Sequence, residues 1–271
     1  RDPENAEYRR ALVVGCGHLS DVLAFRPGEN LGDVEGAITV LLEAAELCEW
    51  ARARDPKDRR ALYDLANARV RLGALFAEHE PPRLSDAEAE LGQALSAVHE
   101  LLAQDPGAIG YNNVLAAVLR RLGEVLDMSG RPHEAAVQLE RAVAVATAML
   151  EGSTGPTMRG IVAVSQARIA RIHAMGGNIE AAIAAASAAA ENLGAPGAGA
   201  PVLIAGGYLQ LGDAYAELAR RAADHEERTL RVSSSYAQYE RATTLWRDAT
   251  LAPALEPRRA AMLALLDERR R

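Results

Sequence analysis

A fifty-residue beat constrains this chain more than any other feature. Prolines stand at 3, 56, 106 and 156, so the successive spacings are 53, 50 and 50 residues, and the first three each follow an Asp. Sixteen residues after each proline comes an apolar position, at Leu19, Leu72, Leu122 and Ile172, and a fifth copy of the local pattern follows 39 residues later at Leu211. The best-formed copies read Arg71-Leu72-Gly73-Ala74-Leu75-Phe76, Arg121-Leu122-Gly123-Glu124-Val125-Leu126 and Gln210-Leu211-Gly212-Asp213-Ala214-Tyr215. Self-similarity at a fixed period marks stacked supersecondary units, each too small to bury its apolar face alone.

Local chemistry says what each unit is. Asp accepts hydrogen bonds from the open N–H groups of a helix start, and Pro fits the first turn, so each Asp-Pro pair predicts a helix start. About 22 helix-favouring residues follow each pair before a break, at residues 26–32, 80–83, 129–132 and 176–178, and second helices are expected at 33–52 and 134–149. The chain holds 56 alanines but only 4% aromatic residues, a helix-forming and strand-poor balance. Small residues recur seven apart on the second helices: Ala37 and Ala44, Ala135 and Ala142, Ala182 and Ala189, then Ser235 and Ala242. In the second copy the same alignment puts Glu90 at the first of these positions. Each unit is therefore an expected helix hairpin with a seam of small residues along one face.

The Leu-Gly pairs, the aromatics Phe76 and Tyr215, and the alanine positions together resemble the tetratricopeptide repeat (TPR), at a longer period than its usual ~34 residues. The sequence departs from that pattern at Ser20 and His173, which replace the Gly, and at Leu126, which replaces the aromatic. The resemblance implies an all-α, right-handed superhelical solenoid of about five long hairpins. These would span about 2–54, 55–104, 105–154, 155–194 and 195–252, with a C-terminal capping helix over 253–271, all in a single domain, 1–271. The first helix of the fifth hairpin is expected to run unbroken from Val202 towards Arg228, since no Gly or Pro interrupts the end of it. The Asp-Pro junctions, residues 28–37 and the run Tyr236-Ala237-Gln238-Tyr239-Glu240-Arg241 are also similar to the C-terminal TPR region of bacterial eukaryotic-like serine/threonine kinases. That similarity, with the opening Arg1-Asp2-Pro3, implies a fragment whose catalytic domain would lie upstream.

Catalytic and metal chemistry find no support. His18, His79, His99, His133, His173 and His225 are scattered, none three or four residues from another His or Cys. Glycine-rich phosphate loops and kinase signatures are missing, and Asp224-His225-Glu226-Glu227 reads as a polar corner. Cys16 and Cys48 are expected to be buried apolar side chains rather than a disulfide framework. The net charge of −7 excludes the usual nucleic-acid binder. No apolar run is long enough to span a bilayer. No cofactor is expected, and a cytoplasmic location fits.

The remaining signal is positional. The TPR resemblance implies that the residue before the motif leucine faces a concave groove. That slot holds His18, Arg71, Arg121, Arg171 and Gln210, with Asn67 one turn before Arg71. Recurring guanidinium groups suit an acidic or carboxylate-bearing protein segment, and Asn suits its backbone. The same arginines also suit structural ion pairs with residues such as Asp21 or Glu124, and both readings stand at this level. The expected function is a non-catalytic protein-binding scaffold. A regulatory or docking arm of a kinase and a self-association module are the alternatives.

Overall fold

The computed structural model describes residues 6–25, 30–152, 156–196, 199–251 and 253–270. Helices are the only regular elements among them. The chain divides into two compact units, residues 1–131 and 132–271. The first carries α1 (Ala6–Ser20), which continues into a wider π turn (Asp21–Phe25), then α2 (Val34–Arg54), α3 (Arg59–Glu78), α4 (Leu84–Gln104) and α5 (Ile109–Met128). The second carries α6 (Pro132–Gly152), α7 (Pro156–Gly176), α8 (Ile179–Gly194), α9 (Pro201–Arg220), α10 (His225–Asp248) and α11 (Glu256–Arg269). No described helix is long and apolar enough to cross a membrane.

Asp-Pro does not start the helices. Asp55 ends α2: its N–H donates to the Ala51 carbonyl at 2.9 Å while its carboxylate accepts from the Lys57 N–H at 2.9 Å. The helix start falls three residues later at Asp58, whose Oδ1 accepts from Arg60 and Ala61. Asp105 likewise closes α4, and α5 begins behind Ala108 without a side-chain cap. Each pair is thus the exit of one helix and the turn into the next; Asp2-Pro3 and Gly155 lie outside the described residues.

The seam of small residues is more regular than the sequence alignment suggests. Ala37, Ala44, Ala135, Ala142, Ala182, Ala189, Ser235 and Ala242 are all buried. In α4 the pair is Ala87 and Ala94, both fully buried, not a pair that starts at Glu90. The loops between helices differ in length from hairpin to hairpin, so a fixed period slips there while the seam persists. The motif leucine also slips in the first copy. Leu72 and Leu211 are fully buried, whereas Leu19 is 45% exposed and Ser20 takes the interior position.

Glycine follows the motif leucine because another helix presses there. A Cβ on Gly73 would lie 2.6 Å from Leu91 Cγ, and one on Gly212 would lie 2.4 Å from the Tyr239 ring. Turn glycines do separate work: Gly130 and Gly177 adopt φ of 74° and 81°, which lets the following N–H groups reach back to Leu126 and His173.

Helix α9 is not continuous with α10. It ends at Arg220, and Asp224 caps α10 by accepting from the Glu227 N–H at 2.8 Å, while the Glu227 carboxylate accepts from the Ala223 N–H at 3.0 Å. The expected polar corner is therefore a reciprocal helix cap, which stops a helix without Gly or Pro. In the core of the second unit, Leu266 of α11 is fully buried beside Leu211, Tyr239 and Trp246.

Burial pushes the Cys48 thiol up to about 12, and burial also raises Cys16. Neither thiol should react with a thiol-specific reagent at pH 8 until the chain unfolds. Because folding holds Cys48 protonated above the ordinary thiol pKa of ~8.5, its contribution to stability falls as pH rises from about 9 towards 12. A second prediction compares two glycines of the first unit. Gly73→Ala should destabilise it by about 1–3 kcal/mol in urea titration. Gly92, with nothing within 4 Å, should accept Ala with a gain of about 0.5–1 kcal/mol.

Candidate groove-lining site

Tyr63, Asn67 and Arg71 lie four residues apart on α3, so they form one strip along one face. Across from that strip stand Val13, Val14 and Gly17 of α1, and the two sides enclose a hollow of about 190 Å³. Asn67 donates its amide N–H to the Tyr63 carbonyl at 2.8 Å. On its far side the Tyr63 ring meets Tyr111 of α5, with centroids 5.7 Å apart and planes tilted by 47°. The two rings border a more open, polar hollow of about 520 Å³ with Arg59, Arg60, Asp58 and Asp105. Tyr63 lines both hollows, so they share the α3 strip.

The arginines are engaged within the chain. One Arg71 nitrogen, Nη1, reaches the Asp21 carboxylate at 2.6 Å, and the Ser20 hydroxyl and Gly17 carbonyl at 3.0 Å each. The π turn matters here, because it holds Asp21 beside α3. Arg121 lies 3.1 Å from Glu124 and 3.5 Å from Glu78. Burial opposes its charge, but Glu124 and Glu78 outweigh that and hold its pKa above the ordinary arginine range. Glu124 also pairs with Arg120. His18 is exposed on α1 and lines neither hollow.

In the second unit Arg171 donates from Nε to the Gln210 side-chain oxygen at 2.7 Å, and its Nη1 lies 2.9 Å from Met175 Sδ. Arg171 borders a hollow of about 410 Å³ with Asp213, Glu217, Arg220, Tyr239 and Arg269. The Tyr239 hydroxyl donates to Asp213 at 2.8 Å, and Arg269 pairs with the same carboxylate at 3.2 Å. Burial, then the Asp213 charge, pushes the Tyr239 hydroxyl above the ordinary tyrosine range. Gln166 is occupied by the Asn192 amide, and Asn112 by the Pro106 and Ala108 carbonyls.

The structure thus joins Asn67 to Arg71 on one strip, and Arg171 to Gln210 by a hydrogen bond. It adds Val14 and Tyr111, which no spacing argument singles out. Val14 precedes the repeat motif, and Tyr111 lies 48 rather than 50 residues after Tyr63. No group of three or more His, Cys, Asp and Glu among the described residues could hold a metal.

With the geometry in view, two solved structures share the architecture. BtubC (BKLC) from P. vanneervenii is similar at a TM-score of 0.54 with 20% identity, over 87% of this chain and 84% of that one. A putative kinesin light chain from Podosopora anserina, with nearly identical TPR-like repeats, is similar at 0.53 with 14% identity, over 87% of this chain and 96% of that one. This is a TPR-like fold. No protein-family model matches the sequence, and no curated protein matches it.

The Asp21–Arg71 contact generates a measurable expectation. Both side chains are about a quarter exposed, at 24% and 27%, so the pair is worth more than a solvated one. A double-mutant cycle with Asp21→Asn and Arg71→Met, read by urea unfolding, should return a coupling of about 1–2 kcal/mol. A coupling near zero would mean that Arg71 is not anchored on the π turn.

Proposed function

We propose that this chain is a non-catalytic protein-binding scaffold, and that the α3 strip of its first unit holds an extended segment of a partner protein. The TPR-like fold supports a protein partner. The observation that carries the finer reading is the continuous run of Tyr63, Asn67 and Arg71 between two hollows of about 190 and 520 Å³. The smaller hollow suits one apolar side chain of the segment. The tyrosine pair offers rigid contact surface with a polar tip, the chemistry enriched at binding hot spots. Asn67 offers its amide oxygen to a peptide N–H, while one of its two amide hydrogens is donated to the Tyr63 carbonyl.

Arg71 sets the terms for the expected carboxylate. A partner acid near it has to share or displace Asp21, so Arg71 selects by competition rather than as an open charge. Arg121 stands between two acids on the same terms. The aromatic and amide groups therefore supply affinity, and the arginines tune preference. The kinase-arm reading rests on the sequence resemblance alone.

Peptide-display selection on the whole chain tests this. Enriched peptides should bind the double variant Tyr63→Ala/Asn67→Ala at least tenfold more weakly, about 1.4 kcal/mol, with helical circular dichroism unchanged. Arg71→Ala should shift the selected sequences away from acidic residues. Peptides indifferent to all three changes would place the binding surface elsewhere.

A further inference from the structure

His79 ties together two helix ends that the sequence sets 44 residues apart. It stands at the C-terminal end of α3, and Glu35 stands in the first turn of α2. The ring Nε2 lies 2.6 Å from the Glu35 carboxylate, and Nδ1 lies 2.9 Å from the Pro81 carbonyl. Both neighbours are acceptors. A neutral imidazole carries one N–H, so it satisfies one of them and turns a lone pair on the other. The arrangement closes fully only around the imidazolium, which donates on both sides.

The two helix ends favour the same charge state. The N-terminus of α2 stabilises the Glu35 anion, and the C-terminus of α3 stabilises a cation at His79. Arg83 of the following turn opposes the imidazolium, but its guanidinium lies 2.8 Å from Asp86 of α4. Glu78, one residue before His79, faces Arg121 at 3.5 Å, and Glu80, one residue after it, is exposed. The Glu35 hydrogen bond, then that to the Pro81 carbonyl, hold the His79 pKa above the ordinary histidine range, against partial burial and the Arg83 charge. We infer that His79 is the pin of a pH-sensitive clasp, closed while its ring carries two protons, that fastens the start of α2 to the turn between α3 and α4.

The turn is the fixed side of the clasp. The Arg83 N–H donates to the Phe76 carbonyl at 2.8 Å, and its guanidinium lies over the Phe76 ring at 4.3 Å. Neither contact needs His79. The start of α2 is the side that the clasp restrains. Its lead-in meets the π turn through two backbone hydrogen bonds, from the Leu31 N–H to the Val22 carbonyl and from the Asp33 N–H to the Leu23 carbonyl, each 2.9 Å long. Leu31 and Asp33 are exposed, so these bonds belong to the part of a structure that opens locally. Loss of one ring proton removes a charge and a hydrogen bond from the clasp, and the restraint on the lead-in weakens. Folding raises the His79 pKa above its unfolded value of ~6.5. Its contribution to stability is therefore fully present below that pH and fades as pH rises through the folded pKa.

The whole chain is the reagent for the test. Its histidine ring protons are titrated by NMR, with His79 identified by the signal lost in His79→Gln. The His79 midpoint should lie above ~6.5, and Glu35→Gln should lower it towards that value. Salt at about 1 M should lower it too, because Glu35 is 70% exposed and its charge is screened. Hydrogen exchange, corrected for intrinsic rates, reads the clasp itself. Protection of the Leu31 and Asp33 amides should fall at least twofold when pH is raised from below the measured midpoint to above it. Glu35→Gln should show the lower protection already below the midpoint, with helical circular dichroism unchanged. A midpoint at or below ~6.5, a midpoint that Glu35→Gln leaves in place, or equal protection on both sides of it would each overturn the proposal.

Discussion

Close approach between helices is the constraint on which the rest of the structure depends. A hairpin of twenty-residue helices has little aromatic bulk here to fill a wide gap, so its axes must come near enough for Leu, Val and Ala to touch. Fully buried alanines at Ala37, Ala87, Ala94, Ala135, Ala142, Ala182 and Ala189 provide that approach along the second helices. Gly73 and Gly212 provide it on the first, where Leu91 and Tyr239 fill the space a Cβ would take. Close-packed interiors feel a single methylene, so the seam sets the pairing of neighbours as well as their stability. Buried leucines such as Leu41, Leu72, Leu91 and Leu218 then contribute about 1.5–3 kcal/mol each from apolar area alone.

Elements governed by this packing were legible in the sequence, and elements governed by local hydrogen bonding were not. The hairpins and the small-residue seam followed from period and composition, because burial imposes both directly. The Asp-Pro junctions were misassigned because Asp serves equally as a helix start and as a turn acceptor; Asp58, not Asp55, proves to be the start. The α9–α10 break was missed because it uses no Gly or Pro. Two carboxylates, of Asp224 and Glu227, close it by accepting backbone N–H groups. Leu19 misled for a third reason. The turn at Asp21–Phe25 is π rather than α, and in this copy the interior position belongs to Ser20, one residue past the leucine.

The arginines show what periodicity can and cannot reveal about a site. Their recurrence marks one position on successive hairpins, but availability depends on what the neighbouring helix presents. At Arg71 it presents Asp21, Ser20 and a carbonyl; at Arg121, Glu78; at Arg171, Gln210. Arg69, two residues from Arg71 and on another face of α3, joins Glu49 of α2 to Glu90 of α4. Ion pairs of this kind add little stability one by one. Their effect is to fix the register of neighbouring helices within each unit, since a shift of one turn would leave a half-buried guanidinium without its acceptor. The groove inherits that order, so Tyr63 and Asn67 sit on a strip whose neighbours are fixed.

The first and last described helices treat solvent differently. Helix α11 buries Leu266 against the second unit and turns outward a face without a large exposed apolar side chain among the described residues. Arg269 of that helix reaches Asp213, and Arg270, which caps it, reaches Glu240. The outer face of α11 is therefore closed with charge. Helix α1 buries Cys16 and Ser20 but leaves Tyr8, Leu12 and Leu19 in water, and Val22 of the π turn is exposed beside it. The difference lies in side-chain choice and not in the backbone, because each helix closes its own i to i−4 hydrogen bonds whatever its outer face carries.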